Sequence, residues 1–250
     1  MRPAIWAETV KLNASTVGRV GFVAIVVGVG ILSGAMLLAA SSGDAQLLAK
    51  LGPAATGDWS GFLLAAAQIT SAGGLLGFGV VLSWMFGREF GDGTITGLFA
   101  LPVRRSTIAL AKLIVYAGWA VAASLALAGM LLVVGLVAGL GPVMLQDWAA
   151  LGRQVLLGVM TAAIAVPVAW ASTLGRSVLA GVSIAISLVV VAQISVLAGV
   201  GGWMPLASPA LWAISAGAAA TPLQLLLVVP YVGVFVLLTA AAWRACQLDR

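Results

Sequence analysis

The sequence predicts an all-α membrane protein with six transmembrane helices. Of its 250 residues, 62% are hydrophobic and only 8% are charged, whereas a soluble domain carries about 25% charged residues. The apolar residues form six runs, each near the roughly 20 residues that a helix needs to cross a bilayer. The runs lack the alternation of barrel strands, and backbone groups in lipid must pair within their own segment, so each run is expected to be a helix.

A short helix is predicted over residues 3–16, before the first span. Its apolar residues share one arc of a helical wheel and its charged residues fall outside that arc, which suits a helix lying in the headgroup plane. The arc holds Ile5, Trp6, Val10 and Leu12, and the charged residues are Glu8 and Lys11. A plain extension of the first span is the alternative.

The six spans are predicted over residues 18–40, 61–86, 107–139, 153–174, 178–200 and 223–243. The first run is longer than the core of a signal peptide, so we interpret it as a retained span. The third is long enough to tilt in the bilayer or to extend beyond it. Pro167 is expected to kink the fourth, since proline lacks the backbone N–H of a helical residue. All six belong to a single transmembrane domain covering residues 1–250.

Two connections differ in character. Residues 41–60 are predicted to form a polar loop of ordinary length. Residues 201–222 are apolar, contain two tryptophans and are interrupted by three prolines, so they cannot span. A short helix or a re-entrant pair at the outer interface fits this pattern, because tryptophan favours that level of the membrane. A loop with aromatic anchors fits it equally well.

Basic residues predict the orientation. With the N-terminus in the cytoplasm, ten of the twelve lysines and arginines lie inside, and the reverse orientation would place those ten outside. The two on the outer side are then Lys50 and Arg153. The positive-inside rule therefore favours cytoplasmic N- and C-termini in a bacterial-type plasma membrane.

Several functions are disfavoured by what the chain lacks. It has no histidine and a single cysteine, Cys246, so neither a His/Cys metal site nor an intrachain disulfide is expected. It has no Gly-x4-Gly-Lys-Ser/Thr phosphate loop, so it is not expected to bind ATP by itself. No basic stretch interleaves with aromatics, and nucleic-acid binding is not expected. The central parts of the spans carry no Asp, Glu, Lys, Arg or His, which argues against a catalytic site and against a proton-coupled carrier.

Mildly polar side chains do occur within the spans, and Gln68 and Gln193 are the most notable of them. One interpretation is hydrogen bonding between helices, worth about 0.6–2 kcal/mol for each contact. The other is that they line a weakly polar translocation path.

Residues 87–112 form the most informative segment, because they hold six of the nineteen charged residues in an otherwise apolar chain. Gly91 and Gly93 predict a turn after the second span. Thr94 is expected to cap a short helix over about residues 95–100. Pro102 should end that helix, since it disfavours the helical conformation of the residue before it.

The same segment is expected to lie at the inner leaflet. Arg104 and Arg105 would hold the turn after the short helix at anionic lipids. Lys112 would extend its ammonium to the interface from the start of the third span. The short helix would then offer an apolar face to a partner with a hydrophobic groove. That face consists of Ile95, Leu98 and Phe99. An ordinary basic cytoplasmic loop is the alternative.

Its motif resembles the signature of ABC-2 type transporter permeases. The matching residues are Glu89-Phe90-Gly91-Asp92-Gly93-Thr94-Ile95, then Leu101-Pro102-Val103-Arg104-Arg105, then Ile108 and Lys112. In that family an acidic residue and a Gly-Thr pair precede Pro-Val-x-Arg, and a lysine follows seven residues later. The six spans, the N-terminal helix and the segment between the last two spans also fit.

The resemblance implies half of an ATP-driven exporter. A second permease, identical or homologous, would complete the membrane part, and two separate ATPase subunits would bind ATP and Mg. Residues 87–112 would include the coupling helix that sits in a groove of the ATPase. The implied coupling residues are Glu89, Gly93, Thr94, Ile95, Leu98, Phe99, Pro102, Arg104, Arg105 and Lys112.

The uncharged interior of the spans favours a hydrophobic or amphipathic cargo such as a drug, lipid or peptide. Two alternatives from other classes stay open. The first is a membrane scaffold or sensor that recruits a cytoplasmic protein without transport. The second is a secondary carrier, which collapse of the proton gradient would inhibit.

Overall fold

The computed structural model describes residues 1–42, 44–100 and 102–246. Leu101 of the motif, Asp249 and Arg250 lie outside them. The described residues are helical with no strand, and six helices are long and apolar enough to cross a membrane, which confirms the predicted fold class. The spans, numbered 1 to 6 in chain order, are Thr16–Ser41, Trp59–Gly91, Arg105–Val137, Leu145–Leu174, Val178–Leu197 and Pro222–Ala245.

Spans 1, 2 and 4 contain irregular turns, and span 6 is divided at Leu227 into Pro222–Leu226 and Val228–Ala245. Span 1 has a π-helical turn at Ala24–Gly28 and span 2 has one at Thr70–Gly74. Span 4 consists of Leu145–Ile164 and Pro167–Leu174, with a break between them. The break lies where Pro167 has no N–H to donate, as expected for a proline within a helix.

Shorter helices connect the spans. An N-terminal helix, Arg2–Ala14, precedes span 1, and a loop helix, Ile95–Phe99, lies between spans 2 and 3. A far helix, Ser208–Ile214, lies between spans 5 and 6 after a 3₁₀ turn at Gly201–Trp203. We call the end of the bundle that carries the loop helix the loop end, and the opposite end the far end.

Two sequence-based boundaries are wrong. Residues 41–60 are not a plain loop, since they contain the helix Ala45–Leu51 and a 3₁₀ turn at Gly52–Ala55. Span 4 begins at Leu145 instead of residue 153. Its first turns carry polar residues, which hid the helix in a search for apolar runs. The carboxylate of Asp147 accepts the N–H of Met144 at 2.8 Å and so satisfies one of the free donors at the start of this helix.

Span 2 lies at the centre of the bundle, where it contacts spans 1, 3, 4 and 5. Its residues Phe78, Leu82 and Phe86 are almost fully buried, and they join spans 3 and 6 in one apolar cluster. A second cluster, nearer the far end, includes Trp59 and Phe62 of span 2 and Leu131 of span 3. The central position of span 2 places the loop that follows it next to most of the bundle.

Candidate functional site

Four charged side chains meet at the loop end. The Lys112 ammonium donates to Glu8 Oε2 and to Glu89 Oε1, each at 2.8 Å. The Lys11 ammonium donates to the same two carboxylates, at 3.0 Å to Glu8 and 3.1 Å to Glu89. We call these four residues the ion cluster. It joins the N-terminal helix, the end of span 2 and the start of span 3, and its two positive and two negative charges balance.

The ion cluster is mostly buried. Lys112 is 1% exposed, Glu8 4% and Glu89 7%, while Lys11 reaches solvent. Burying a charge is costly unless an opposite charge and hydrogen bonds compensate it. Because Lys112 is buried between the two carboxylates, removing it leaves a buried charge without full compensation. The cluster therefore fixes the relative positions of the three elements that carry it.

Lys11 lies outside the spans, and its pKa is shifted by its contacts within the ion cluster. Partial burial alone would lower the pKa of Lys11. The carboxylates of Glu8 and Glu89 outweigh that effect through their charges and hydrogen bonds, so the pKa is raised above its ordinary value. The lysine is therefore fully protonated at neutral pH, and the positive charge that balances the cluster is present.

Two sequence-based assignments in this region are wrong. Lys112 does not extend to the membrane interface, because two buried carboxylates hold its ammonium inside the bundle. Glu8 was placed on the polar side of the N-terminal helix, yet this carboxylate faces the bundle, while Trp6 and Val10 are exposed. A helical wheel shows how polar and apolar residues are distributed around one helix. It cannot identify an acidic side chain that is buried because its partner lies 104 residues away.

The loop helix begins where it was predicted, but Thr94 does not cap it. Thr94 precedes Ile95, and its side chain makes no capping hydrogen bond. Its hydroxyl donates instead to Glu89 Oε2 at 2.5 Å, because an ionised carboxylate is a stronger acceptor than those available in the turn. Gly93 forms the preceding turn with φ of +68°, a conformation that favours glycine. Thr94 thus links the loop helix to the ion cluster.

The predicted apolar face of the loop helix is not free for a partner. Ile95 is buried in the apolar cluster of the chain itself, and Leu98 and Phe99 are half-buried against it. The Phe99 ring meets the ring of Trp243 in span 6 edge to face, with centroids 6.0 Å apart. Trp243 is fully buried and donates its indole N–H to Thr173 Oγ1 of span 4 at 3.0 Å. The apolar face therefore attaches the loop helix to spans 4 and 6.

The two predicted arginines differ in their surroundings. The Arg105 guanidinium lies 4.0 Å from the centroid of the Phe99 ring and donates to the Cys246 carbonyl after span 6. This replaces the lipid contact that was expected of it. Arg104 and Pro102 are exposed, as an interfacial position requires. Arg88 and Asp92 form an exposed ion pair at 2.6 Å on the same surface.

The two glutamines predicted within the spans lie in different surroundings. Gln193 of span 5 and Ser71 of span 2 line a small cavity of about 110 Å³ beside the far helix. Gln68 lies one turn before Ser71, and its carbonyl accepts the Ser71 hydroxyl at 2.8 Å. That cavity is much smaller than a drug-sized ligand requires. A translocation path through these residues stays a prediction.

The sequence and the geometry of the loop end agree with a comparison against known families. No curated protein matches the chain significantly. The model of the ABC-2 family transporter protein family matches residues 4–193, which include the N-terminal helix, the loop and most of the first five spans. ABC-2 permeases are transmembrane subunits that lack their own ATPase and generally pair with ABC ATPase subunits. The chain therefore belongs to the ABC-2 family of transporter proteins, as a multi-pass membrane permease subunit.

Proposed function

We propose that this permease exports a hydrophobic or amphipathic cargo and is driven by ATPase subunits that dock on residues 87–112. The observation that carries the proposal is the ion cluster. Glu89 and Lys112 of the family-like motif are hydrogen-bonded at 2.8 Å and joined to Glu8 of the N-terminal helix. A force on the loop would therefore move three elements together.

The contacts of the loop helix supply a route for that movement. Phe99 packs against Trp243, and Arg105 binds the Cys246 carbonyl, so the loop is attached to the C-terminal end of span 6. Glu89 attaches it to spans 2 and 3. A connection of this kind transmits a small displacement of the loop to the spans, because packed helices move as rigid bodies.

The docking surface is the outward side of the loop helix. Thr96, Gly97 and Ala100 are exposed there, and the Arg88–Asp92 ion pair lies beside them. A cavity of about 530 Å³ opens between this helix, span 2 and the N-terminal helix. A side chain of the ATPase would enter that cavity. In this proposal the apolar residues hold the loop helix in place and its small exposed residues make the contact.

The rest of the assembly follows from the family. Two copies of the permease, or this chain with a homologue, would pair with two ATPase subunits, and those subunits would bind ATP and Mg. The loop end would face the cytoplasm of a bacterial-type cell, as the basic residues predict. The cargo is proposed from the uncharged interior of the spans, where a charged molecule would be poorly stabilised.

A pair of matched variants tests the docking surface. Ala100→Arg places a long cation on the exposed loop helix, and Ala218→Arg makes the same change at an exposed residue of the far end. We expect Ala100→Arg to lower both the recovery of ATPase subunits with the purified permease and the cargo-stimulated ATP hydrolysis. The protein with Ala218→Arg should behave as wild type.

Thr96→Arg repeats the test at a second exposed residue. If both loop variants keep wild-type ATPase recovery and wild-type coupling, the docking surface is not where we place it. If the purified wild-type chain transports cargo in liposomes without any ATPase, the proposed energy source is wrong.

A further inference from the structure

An apolar groove of about 620 Å³ opens at the loop end, between the N-terminal helix, the start of span 1 and the first half of span 3. Its aromatic wall is formed by Phe22 and Trp119, whose rings meet edge to face with centroids 6.3 Å apart. Ile5 of the N-terminal helix and Ile114 of span 3 add aliphatic surface. A volume of this size is sufficient for an apolar ligand.

The groove has the length and the opening that an acyl chain needs. Along span 3 it runs from Ile114 to Ala122, about 12 Å at the rise of an α-helix. The hydrocarbon of one leaflet is about 15 Å deep. Gly118, halfway along, is exposed, and a Cβ there would meet nothing within 4 Å, so the middle of the groove is open. A single chain from one leaflet therefore fits along it.

The N-terminal helix places one end of the groove at the level of the lipid headgroups. Its outward side carries Trp6 and Val10, which are 71% and 47% exposed. Exposed tryptophan beside aliphatic surface is typical of a helix in the headgroup plane. Ile5, Thr9 and Asn13 of the same helix border the groove. The groove therefore begins at the headgroups and continues along spans 1 and 3 toward the acyl chains.

Arg19 supplies the charge at that end. It is the single ionisable residue among the described residues that line the groove. Its Nε donates to the Asn13 carbonyl at 2.8 Å, which orients the guanidinium. Its terminal amino groups donate to no residue that the structure describes, and a guanidinium fork of this kind suits a phosphate. Since none of these lining residues is acidic, a cationic headgroup finds no partner there.

We propose that this groove binds an anionic phospholipid, with its phosphate on Arg19 and one acyl chain along span 3. The apolar walls select a lipid over a soluble phosphate, and the lone positive charge selects an anionic headgroup over a zwitterionic one. The bound lipid connects the N-terminal helix, which carries Glu8 of the ion cluster, to spans 1 and 3. The proposal is independent of the docking surface and of ATP-driven transport.

Competition between two lipids tests the proposal. The full-length permease, purified with its bound subunits, is given equal amounts of dioleoyl phosphatidylglycerol and dioleoyl phosphatidylcholine, and bound lipids are counted by native mass spectrometry. Both lipids carry the same chains and a phosphate, but the choline cation cancels the negative charge. We expect a preference of about fivefold for phosphatidylglycerol, as one arginine near the lipid surface implies.

Variants separate the groove from the rest of the basic surface. Arg19→Gln should remove most of the preference. Arg244→Gln, which removes an exposed charge at the same end of the bundle but outside the groove, should keep it. Gly118→Leu should weaken the binding of both lipids by filling the groove. Gly129→Leu makes the same change at an exposed glycine of span 3 outside the groove, where a Cβ also meets nothing within 4 Å, and should leave binding unchanged.

A photoreactive lipid locates the chain in the wild-type protein, so the result does not depend on the folding of a variant. Phosphatidylglycerol with a diazirine in one acyl chain should label span 3 between residues 114 and 122, and excess unlabelled phosphatidylglycerol should suppress that label.

Three results would overturn the proposal. Equal binding of the two lipids by the wild-type protein would show that Arg19 does not select an anionic headgroup. A preference that survives both Arg19→Gln and Gly118→Leu, or a label absent from residues 114–122, would place the lipid elsewhere on the surface. A Gly118→Leu protein that binds lipid normally but loses permease dimers would show that a second copy of the chain covers the groove.

Discussion

Lys112 is a charged side chain that is buried in the folded protein, because two carboxylates compensate its charge. Its ammonium is 2.8 Å from one carboxylate of the N-terminal helix and 2.8 Å from one of span 2. Replacing this lysine by an apolar residue leaves two buried carboxylates without its charge. The resulting loss of folding stability is larger than the net contribution of the ion pair. The lysine of the family-like motif is therefore, at the residue scale, a structural connection between elements.

Lys112→Met should destabilise the permease strongly, by about 3–5 kcal/mol, because two buried carboxylates lose their compensating charge. Lys11→Met removes the other lysine, which is 42% exposed, and should cost less than about 1 kcal/mol. Thermal unfolding of both variants in the same detergent measures the difference. Equal losses would mean that burial does not distinguish the two lysines.

Asp58 begins span 2, and its carboxylate accepts the N–H of Gly61. This hydrogen bond is the largest cause that lowers the pKa of Asp58 below its usual 3.8. A lowered pKa in the folded state stabilises the protein above the pKa of the unfolded state, and that contribution is lost as the pH falls through the lower, folded value. Removal of the cap should cost about 1 kcal/mol at neutral pH.

Asp58→Ala should therefore lower the free energy of unfolding at neutral pH and reduce its dependence on pH below about 4. Asp58→Asn is the control, since asparagine caps helices about as well and does not titrate. Unfolding followed at several pH values separates the two variants. A wild-type pH profile in Asp58→Ala would show that this carboxylate does not contribute to acid sensitivity.

At the scale of elements, glycines allow the close approach of spans 2 and 5, and Gly87 is the one that lies against backbone. A Cβ added to Gly87 would lie 2.4 Å from the backbone nitrogen of Val178, where span 5 begins. Backbone atoms cannot move aside as a flexible side chain can. Gly118 in span 3 provides a contrast, because a Cβ there would meet nothing within 4 Å.

Gly87→Ala should destabilise the bundle by about 1–3 kcal/mol through overpacking. Gly118→Ala should be neutral, or stabilising by up to about 1 kcal/mol, because alanine favours the helix. Thermal unfolding and the yield of monodisperse protein are the measurements. If Gly87→Ala is as stable as Gly118→Ala, spans 2 and 5 are not packed as closely as described.

For the whole molecule, the orientation in the membrane is a prediction that one cysteine makes testable. Cys246 is the single cysteine of the chain and follows span 6 at the loop end. The positive-inside rule places that end in the cytoplasm. A membrane-impermeant maleimide should therefore label Cys246 in inside-out vesicles only.

The reciprocal variant combines Cys246→Ser with Ala218→Cys, which moves the single thiol to an exposed position at the far end. It should be labelled in intact cells or right-side-out vesicles only. Labelling of both proteins from the same side would contradict the single span, Pro222–Ala245, between the two positions, and exchanged sides would reverse the orientation.

The sequence by itself determined the fold class and the break of span 4 at Pro167, and it predicts the segment most suited to a partner. These depend on local properties: the length of apolar runs, the missing N–H of proline and a concentration of charge in one segment. The same reasoning missed the first turns of span 4, where polar residues interrupt the apolar pattern although the backbone is helical.

Only the tertiary structure decided which side chains meet. It brought Glu8 to Lys112 across 104 residues and Phe99 to Trp243, and it buried Gln154 Oε1 without a partner among the described residues. Polarity along the chain predicts exposure, but a charge can be buried wherever distant residues supply its counter-charge. That compensation depends on how the helices pack, so the sequence pattern of a single helix does not contain it.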